Sequence, residues 1–237
     1  MTTIQIKAVF NMTCKNILDI NYLSTYYDNL GGKKIFKDCI KDFNSYINKK
    51  VYLYYSNKKD TPVCTLPKFK ILLVTRLGFL SFCYNFYFYV NGFDYYNIDI
   101  SQDNLKIIAK CVCSHEIGHI LDDSINSNRW EQSKVLTDIL EKMLHYNIDF
   151  SNIDFHKKNL PQDLENSVLI FKKNLVGREA IAWEIARNIM HFHTPKERFI
   201  FDKVREYALA TYNYGDLKSI IKENNLESFF KYKKYFA

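Results

Sequence analysis

The chain has 237 residues, of which 33 are Lys or Arg and 26 are Asp or Glu, giving a net charge of +7; 47% are hydrophobic. Seven Gly and four Pro are too few for a collagen-like, linker or Pro-rich disordered chain, and no apolar run approaches the ~18 residues of a membrane-spanning helix. Lysines are scattered in pairs such as Lys33-Lys34 and Lys157-Lys158 and form no arginine stripe, which argues against nucleic acid as the partner.

The first ten residues lack a basic region followed by an uninterrupted apolar core. No signal peptide is therefore expected, and the reading is a cytoplasmic protein without a membrane partner. Its six cysteines show no CxxC pair and read as reduced, mostly buried thiols.

Residues 4–10 alternate like a short strand. Gly31-Gly32 marks a turn, and Phe36, Cys39, Ile40, Phe43 and Ile47 recur at the spacing of a helix over 33–48. Val51 to Tyr55 reads as a strand. Residues 69–100 read as a β-meander: a strand from Phe69 to Arg76, a second from Leu80 to Val90, a tight turn at Asn91-Gly92, and a returning strand from Phe93 to Ile100.

From Ser101 the period becomes helical. Leu105, Ile108, Cys111, Val112, His115, Ile117, His119 and Ile120 require a helix that is apolar around most of its circumference. Ser101 or Asp103 can cap it, and it should end near 122–124. Helices are predicted at about 128–145, 161–191, 195–209 and 215–224, with Pro161 and Pro195 where helices begin. The fold class is α+β in one domain over 1–237. A small, mainly antiparallel sheet packs on a central buried helix; residues 1–100 are mainly β with one helix, and the C-terminal half is helical.

The central helix holds the chemistry. Cys113-Ser114-His115-Glu116-Ile117-Gly118-His119 contains H-E-x-x-H. Positions i and i+4 stand about 40° apart around a helix, so both imidazoles can face one atom. Two imidazole nitrogens suit zinc, and a Glu after the first can act as base toward a water at the metal. Gly118 costs helix stability relative to Ala, which makes sense if another element or a substrate must come close there.

A third ligand is needed. The x-x-G-x-x-H continuation fails, because Asp122 and Ile125 occupy the Gly and His positions. The segment Gly177-Arg178-Glu179-Ala180-Ile181-Ala182-Trp183-Glu184 sets carboxylates among small residues. Glu179 and Glu184 lie about 140° apart on a helix, so at most one faces the metal; Asp122 and His156 are further candidates. Trp183 shares a face with Glu179 and could wall the site. Asp122 either ends the helix or orients an imidazole. His191 and His193 are candidate proton donors to an oxyanion, and Tyr207, Tyr212 and Tyr214 are weaker ones. His145 reads as a surface residue and Cys113 as small packing.

His-Glu-Ile-Gly-His followed by Arg-Glu-Ala-x-x-Trp resembles the ImmA/IrrE-type zinc metallopeptidases. The resemblance covers about residues 69–190. It implies a zincin-like fold of the gluzincin kind, with one zinc per chain held by His115, His119 and Glu179 and with Glu116 as the base. Glu179 lies 60 positions after His119, and the stretch between them carries an inserted helical segment, about 128–175, longer than is usual in that family. The expected activity is a zinc-dependent endopeptidase that hydrolyses peptide bonds of a protein or peptide substrate, with zinc-bound water activated by Glu116. An edge strand, Leu80–Val90 or Phe93–Ile100, would hold the substrate extended. The alternative is a catalytically weak zincin-fold module that binds a regulatory protein partner.

Overall fold

The computed structural model describes residues 20–57, 63–92, 98–148 and 159–213, together with Leu217 and Ile220. Its elements in chain order are α1 (Ile20–Asn29), α2 (Lys33–Phe43), β1 (Tyr52–Ser56), β2 (Cys64–Leu66), a short 3-10 turn (Pro67–Phe69), β3 (Ile71–Thr75), α3 (Arg76–Gly92), α4 (Gln102–Leu121), α5 (Ile125–His145), α6 (Gln162–Ile189) and α7 (Pro195–Asn213). The class is α+β. Among the described residues no helix is long and apolar enough to cross a membrane. The strand expected at 4–10 lies outside the described residues.

Gly31 and Gly32 both adopt positive φ, a backbone region that glycine enters without steric cost, and so break α1 from α2. Helix α2 stops at Phe43, short of the predicted 48. Beyond it the Asn44 side-chain amide donates to Val51 O and accepts from Val51 N, each at 2.8 Å. That exchange closes the loop and delivers the chain into β1.

The sheet has the order β1-β3-β2. β1 runs parallel to β3 and β2 antiparallel to it, so the sheet is mixed where a mainly antiparallel one was expected. The reason is the fate of residues 76–92. The predicted strand Leu80–Val90 and the hairpin at Asn91-Gly92 are instead helix α3, so β3 has no following strand and pairs with β1 and β2. The buried members, Phe79, Leu80, Cys83, Phe86, Tyr87 and Val90, recur every three or four residues. The helical period was obscured by further aromatics on the other faces, whose strand preference reflects packing more than backbone. Thr75 Oγ1 caps α3 by accepting from Gly78 N at 3.0 Å. Asn91 does not turn a hairpin; its side chain accepts from Ile98 N at 3.3 Å. Of the expected returning strand, 93–97 fall outside the described residues and 98–100 form no strand.

Helix α4 matches its prediction closely. Ser101 accepts from Asn104 N at its start, and Asp122 N donates back to Gly118 O at its end at 2.9 Å. Both termini thus offset part of the cost of unpaired helix-end groups. Fourteen of its residues, between Asn104 and Ile120, are buried, and the helix packs against α2, β2 and β3. Pro195 opens α7 as predicted.

The chain forms two compact units: residues 1–123 with 180–209, and residues 124–179 with 210–237. The first holds the sheet, α1 to α4, and a core that includes Tyr27, Phe36, Phe43, Phe79, Phe86, Trp183 and Phe201. The second has its own small core of Ile139, Met143, Leu164, Val168, Phe171, Leu217 and Ile220. Of the helix predicted at 215–224, only Leu217 and Ile220 are described.

Candidate metal centre

Two side chains of α4 begin the site. His115 and His119, one helical turn apart, are each 8% exposed, and their ring centroids lie 4.7 Å apart at 72°. Burial of two imidazoles on an otherwise apolar helix needs a polar partner to offset the lost hydration. The indole of Trp183, on α6, stacks on His115 with centroids 4.3 Å apart at 19°. Phe201 meets the indole edge-on at 5.4 Å. This fixes the plane of one imidazole by aromatic packing.

Gly118 explains how α6 comes so near. A Cβ there would lie 3.0 Å from the carbonyl carbon of Ala182 and closer still to its oxygen. Any larger residue would force the two backbones apart. The close approach expected from the sequence is therefore present, and Ala182, itself buried, supplies the other smooth surface.

Glu179 lies one turn before Trp183 on the same continuous helix. It is 3% exposed. One ligand atom each from His115, His119 and Glu179 lie within 4.8 Å of one another. Two imidazoles and one carboxylate, all buried, are a donor set that suits a divalent first-row cation. The group can hold one metal ion.

Glu116, 8% exposed, sits between the two imidazoles in sequence. Its charge registers on two thiols: burial first, then the Glu116 carboxylate, push Cys64 above the ordinary thiol range. Cys113 is pushed up in the same way, with Cys39 contributing between the two. Strand β2, which carries Cys64, thus lies within electrostatic reach of Glu116. The sequence reading passed over this strand. A three-residue strand gives almost no periodicity to detect.

The remaining candidates fall elsewhere. Glu184 is half-exposed and ion-paired with Arg205 at 2.7 Å, so it does not compete with Glu179. Asp122 is buried at the end of α4, whereas its neighbour Asp123 is exposed and pairs with Lys49 at 2.8 Å. His191 stacks on Tyr46 at 4.3 Å. His193 N donates to Glu197 Oε2 at 2.6 Å and Thr194 Oγ1 accepts from Glu197 N, which is a helix-capping arrangement at the start of α7. Tyr207 packs among Phe82, Phe86 and Tyr89, and burial pushes its hydroxyl up to about 12. Tyr212 stands in the last turn of α7. His145 packs edge-on against Tyr146 at the end of α5. His156 and Tyr214 lie outside the described residues. The five described cysteines are free thiols.

No known family model matches this chain, and no characterised protein or solved structure matches it either.

Proposed function

We propose that this chain is a zinc-dependent endopeptidase, similar in its site to the ImmA/IrrE-type metallopeptidases. The observation that carries the reading is the convergence of His115, His119 and Glu179 on one point, with Glu116 adjacent in sequence to the first of them. His115, His119 and Glu179 would hold the metal. When bound, zinc would polarise the scissile carbonyl and ease deprotonation of the attacking water.

The chain's own groups do the rest. Glu116 takes the proton of the attacking water and hands it to the leaving amine. Trp183, stacked on His115, keeps that imidazole in plane and keeps solvent off one side of it. The edge strand expected to hold substrate cannot be Leu80–Val90, which is helical. β2 is the better candidate: it lies at one edge of the sheet and packs against α4. An extended peptide paired along it by backbone hydrogen bonds would run past Glu116.

The test is Glu116→Gln beside the wild type, with zinc content by elemental analysis and cleavage of a quenched-fluorescent peptide library. The expected result is one zinc in both proteins and a drop in turnover of 10²–10⁴-fold or more in the variant. Undiminished turnover in Glu116→Gln would overturn the mechanism. A wild type that binds zinc without turnover would favour a protein-binding module, and one that takes up no zinc would end the metal reading.

A further inference from the structure

Glu179 has a charged neighbour that the reaction above does not use. Nη2 of Arg178 lies 3.4 Å from Glu179 Oε1, while its Nη1 donates to Gln132 Oε1, on α5, at 2.7 Å. The Glu179 side chain is 4% exposed and that of Arg178 22%. A guanidinium keeps its charge throughout the accessible pH range and presents its donors in a rigid planar fork. With one arm tied to Gln132, the position of the other arm is set.

The last torsion of a glutamate is broad and roughly two-fold, so an unanchored carboxylate turns through it at little cost. A fixed positive charge on the Oε1 side removes that freedom. The separation of 3.4 Å is long for a strong charge-assisted hydrogen bond but within ion-pair range. Arg178 therefore biases the orientation of the carboxylate.

We propose that Arg178, anchored by Gln132, is a positioning residue that sets the Glu179 carboxylate for metal before the metal arrives. This rests on the reading of His115, His119 and Glu179 as a zinc site. The proposal makes a prediction of sign. A guanidinium near an incoming dication repels it, so if charge alone mattered, removing Arg178 would tighten zinc binding. If orientation dominates, removing it weakens binding.

The experiment measures zinc affinity by competition with a chromophoric chelator for wild type, Arg178→Met, Arg178→Lys and Gln132→Ala. The visible spectrum of the cobalt(II)-loaded proteins gives a readout of the ligand field independent of activity, and circular dichroism monitors folding. Arg178→Met is expected to bind zinc 10- to 100-fold more weakly, the usual cost of losing a group that orients a metal ligand, and to shift the cobalt spectrum. Arg178→Lys should recover part of the affinity. Gln132→Ala should weaken binding in the same direction by less, and it decides the matter if Arg178→Met does not fold. Zinc affinity equal to or above wild type in folded Arg178→Met, with an unchanged cobalt spectrum, overturns the proposal and leaves the metal site standing. No zinc uptake by the wild type overturns the site reading and the proposal with it.

Discussion

The two units of this chain build their interiors from different materials. In the first, rings do most of the filling: Tyr27, Phe36, Phe43, Phe79, Phe86, Tyr87, Trp183 and Phe201 are almost wholly buried. Phe36 meets Phe79 edge-on at 4.9 Å, and Tyr27 meets Phe79 at 5.6 Å. Among the described residues of the second, one ring, Phe171, joins a small aliphatic set, and a polar cluster stands beside it. Lys142 Nζ donates to Asp138 Oδ2 and to Ser167 Oγ, both at 2.7 Å, and Ser167 Oγ reaches Asp138 Oδ2 at 2.5 Å. Interlocked rings leave few alternative packings, which suits the helix that must hold two imidazoles in register. A satisfied polar cluster also fixes geometry, but its contribution depends on pH and salt.

The largest expected effect tests the aromatic interior. Phe36→Ala removes a fully buried ring that touches both Phe79 and Tyr55 and should cost about 3–5 kcal/mol by denaturant unfolding. Under conditions where the variant is still folded, its affinity for the proposed zinc should be close to wild type, because Phe36 is not among the candidate ligands. A loss below about 1 kcal/mol would show that the ring cluster is loosely packed and erase the contrast between the units.

Gly118→Ala should act differently. The added methyl falls on the Ala182 backbone, which has no rotamer with which to move aside. Overpacking of this kind costs about 1–3 kcal/mol, less than deleting a core ring, yet here it should also weaken binding of the proposed zinc by an order of magnitude or more. The reason is mechanical: His119 and Trp183 are the next residues along from Gly118 and Ala182 on their respective helices. Comparing thermal stability with zinc affinity in Phe36→Ala and Gly118→Ala separates general loosening from local displacement. Equal zinc affinity in Gly118→Ala and wild type would mean that the close approach has no bearing on the site.

How much of this was legible beforehand follows from the same contrast. Helix α4 declared itself because its apolar positions run all the way round and its two ends carry a Ser cap and an Asp. The H-E-x-x-H motif could be placed on its helix from spacing alone, whereas Glu179 was singled out from Glu184, Asp122 and His156 only by the family resemblance, and Gly118 signalled a close approach to that helix. Helix α3 was misread because Tyr and Phe crowd every face of it, leaving no polar stripe to reveal the period, and Asn91-Gly92 looked like a hairpin. That single error turned a mixed sheet into an antiparallel one. β2 was missed because three residues carry no pattern, and with it the strand whose Cys64 feels the charge of Glu116. The pairing of Glu184 with Arg205, which frees Glu179 from competition, depends on a contact 21 residues away that no local rule contains.

In the second unit, Ser167→Ala should cost about 1–3 kcal/mol, because it removes a buried hydroxyl that links Lys142 to Asp138. A change within about 0.5 kcal/mol would mean that the Asp138–Lys142 pair needs no third member.

The smallest effect is the one that depends on pH. Burial acts to raise the Asp138 carboxyl, but hydrogen bonds from Lys142 and Ser167, with the Lys142 charge, outweigh it and hold the group below the usual carboxylate range. A carboxyl depressed on folding stabilises the native state above its unfolded value, about 3.9, and that stabilisation is lost as pH falls through the folded value. The Asp138 side chain is 45% exposed, so screening limits the contribution to about 1 kcal/mol or less. Asp138→Asn should therefore melt slightly below wild type at pH 7, and the gap should close as both are titrated below about pH 4. A gap that persists unchanged at pH 3 would show that Asp138 acts through packing and neutral hydrogen bonding. The charge of Asp138 would then add nothing to the stability of the second unit.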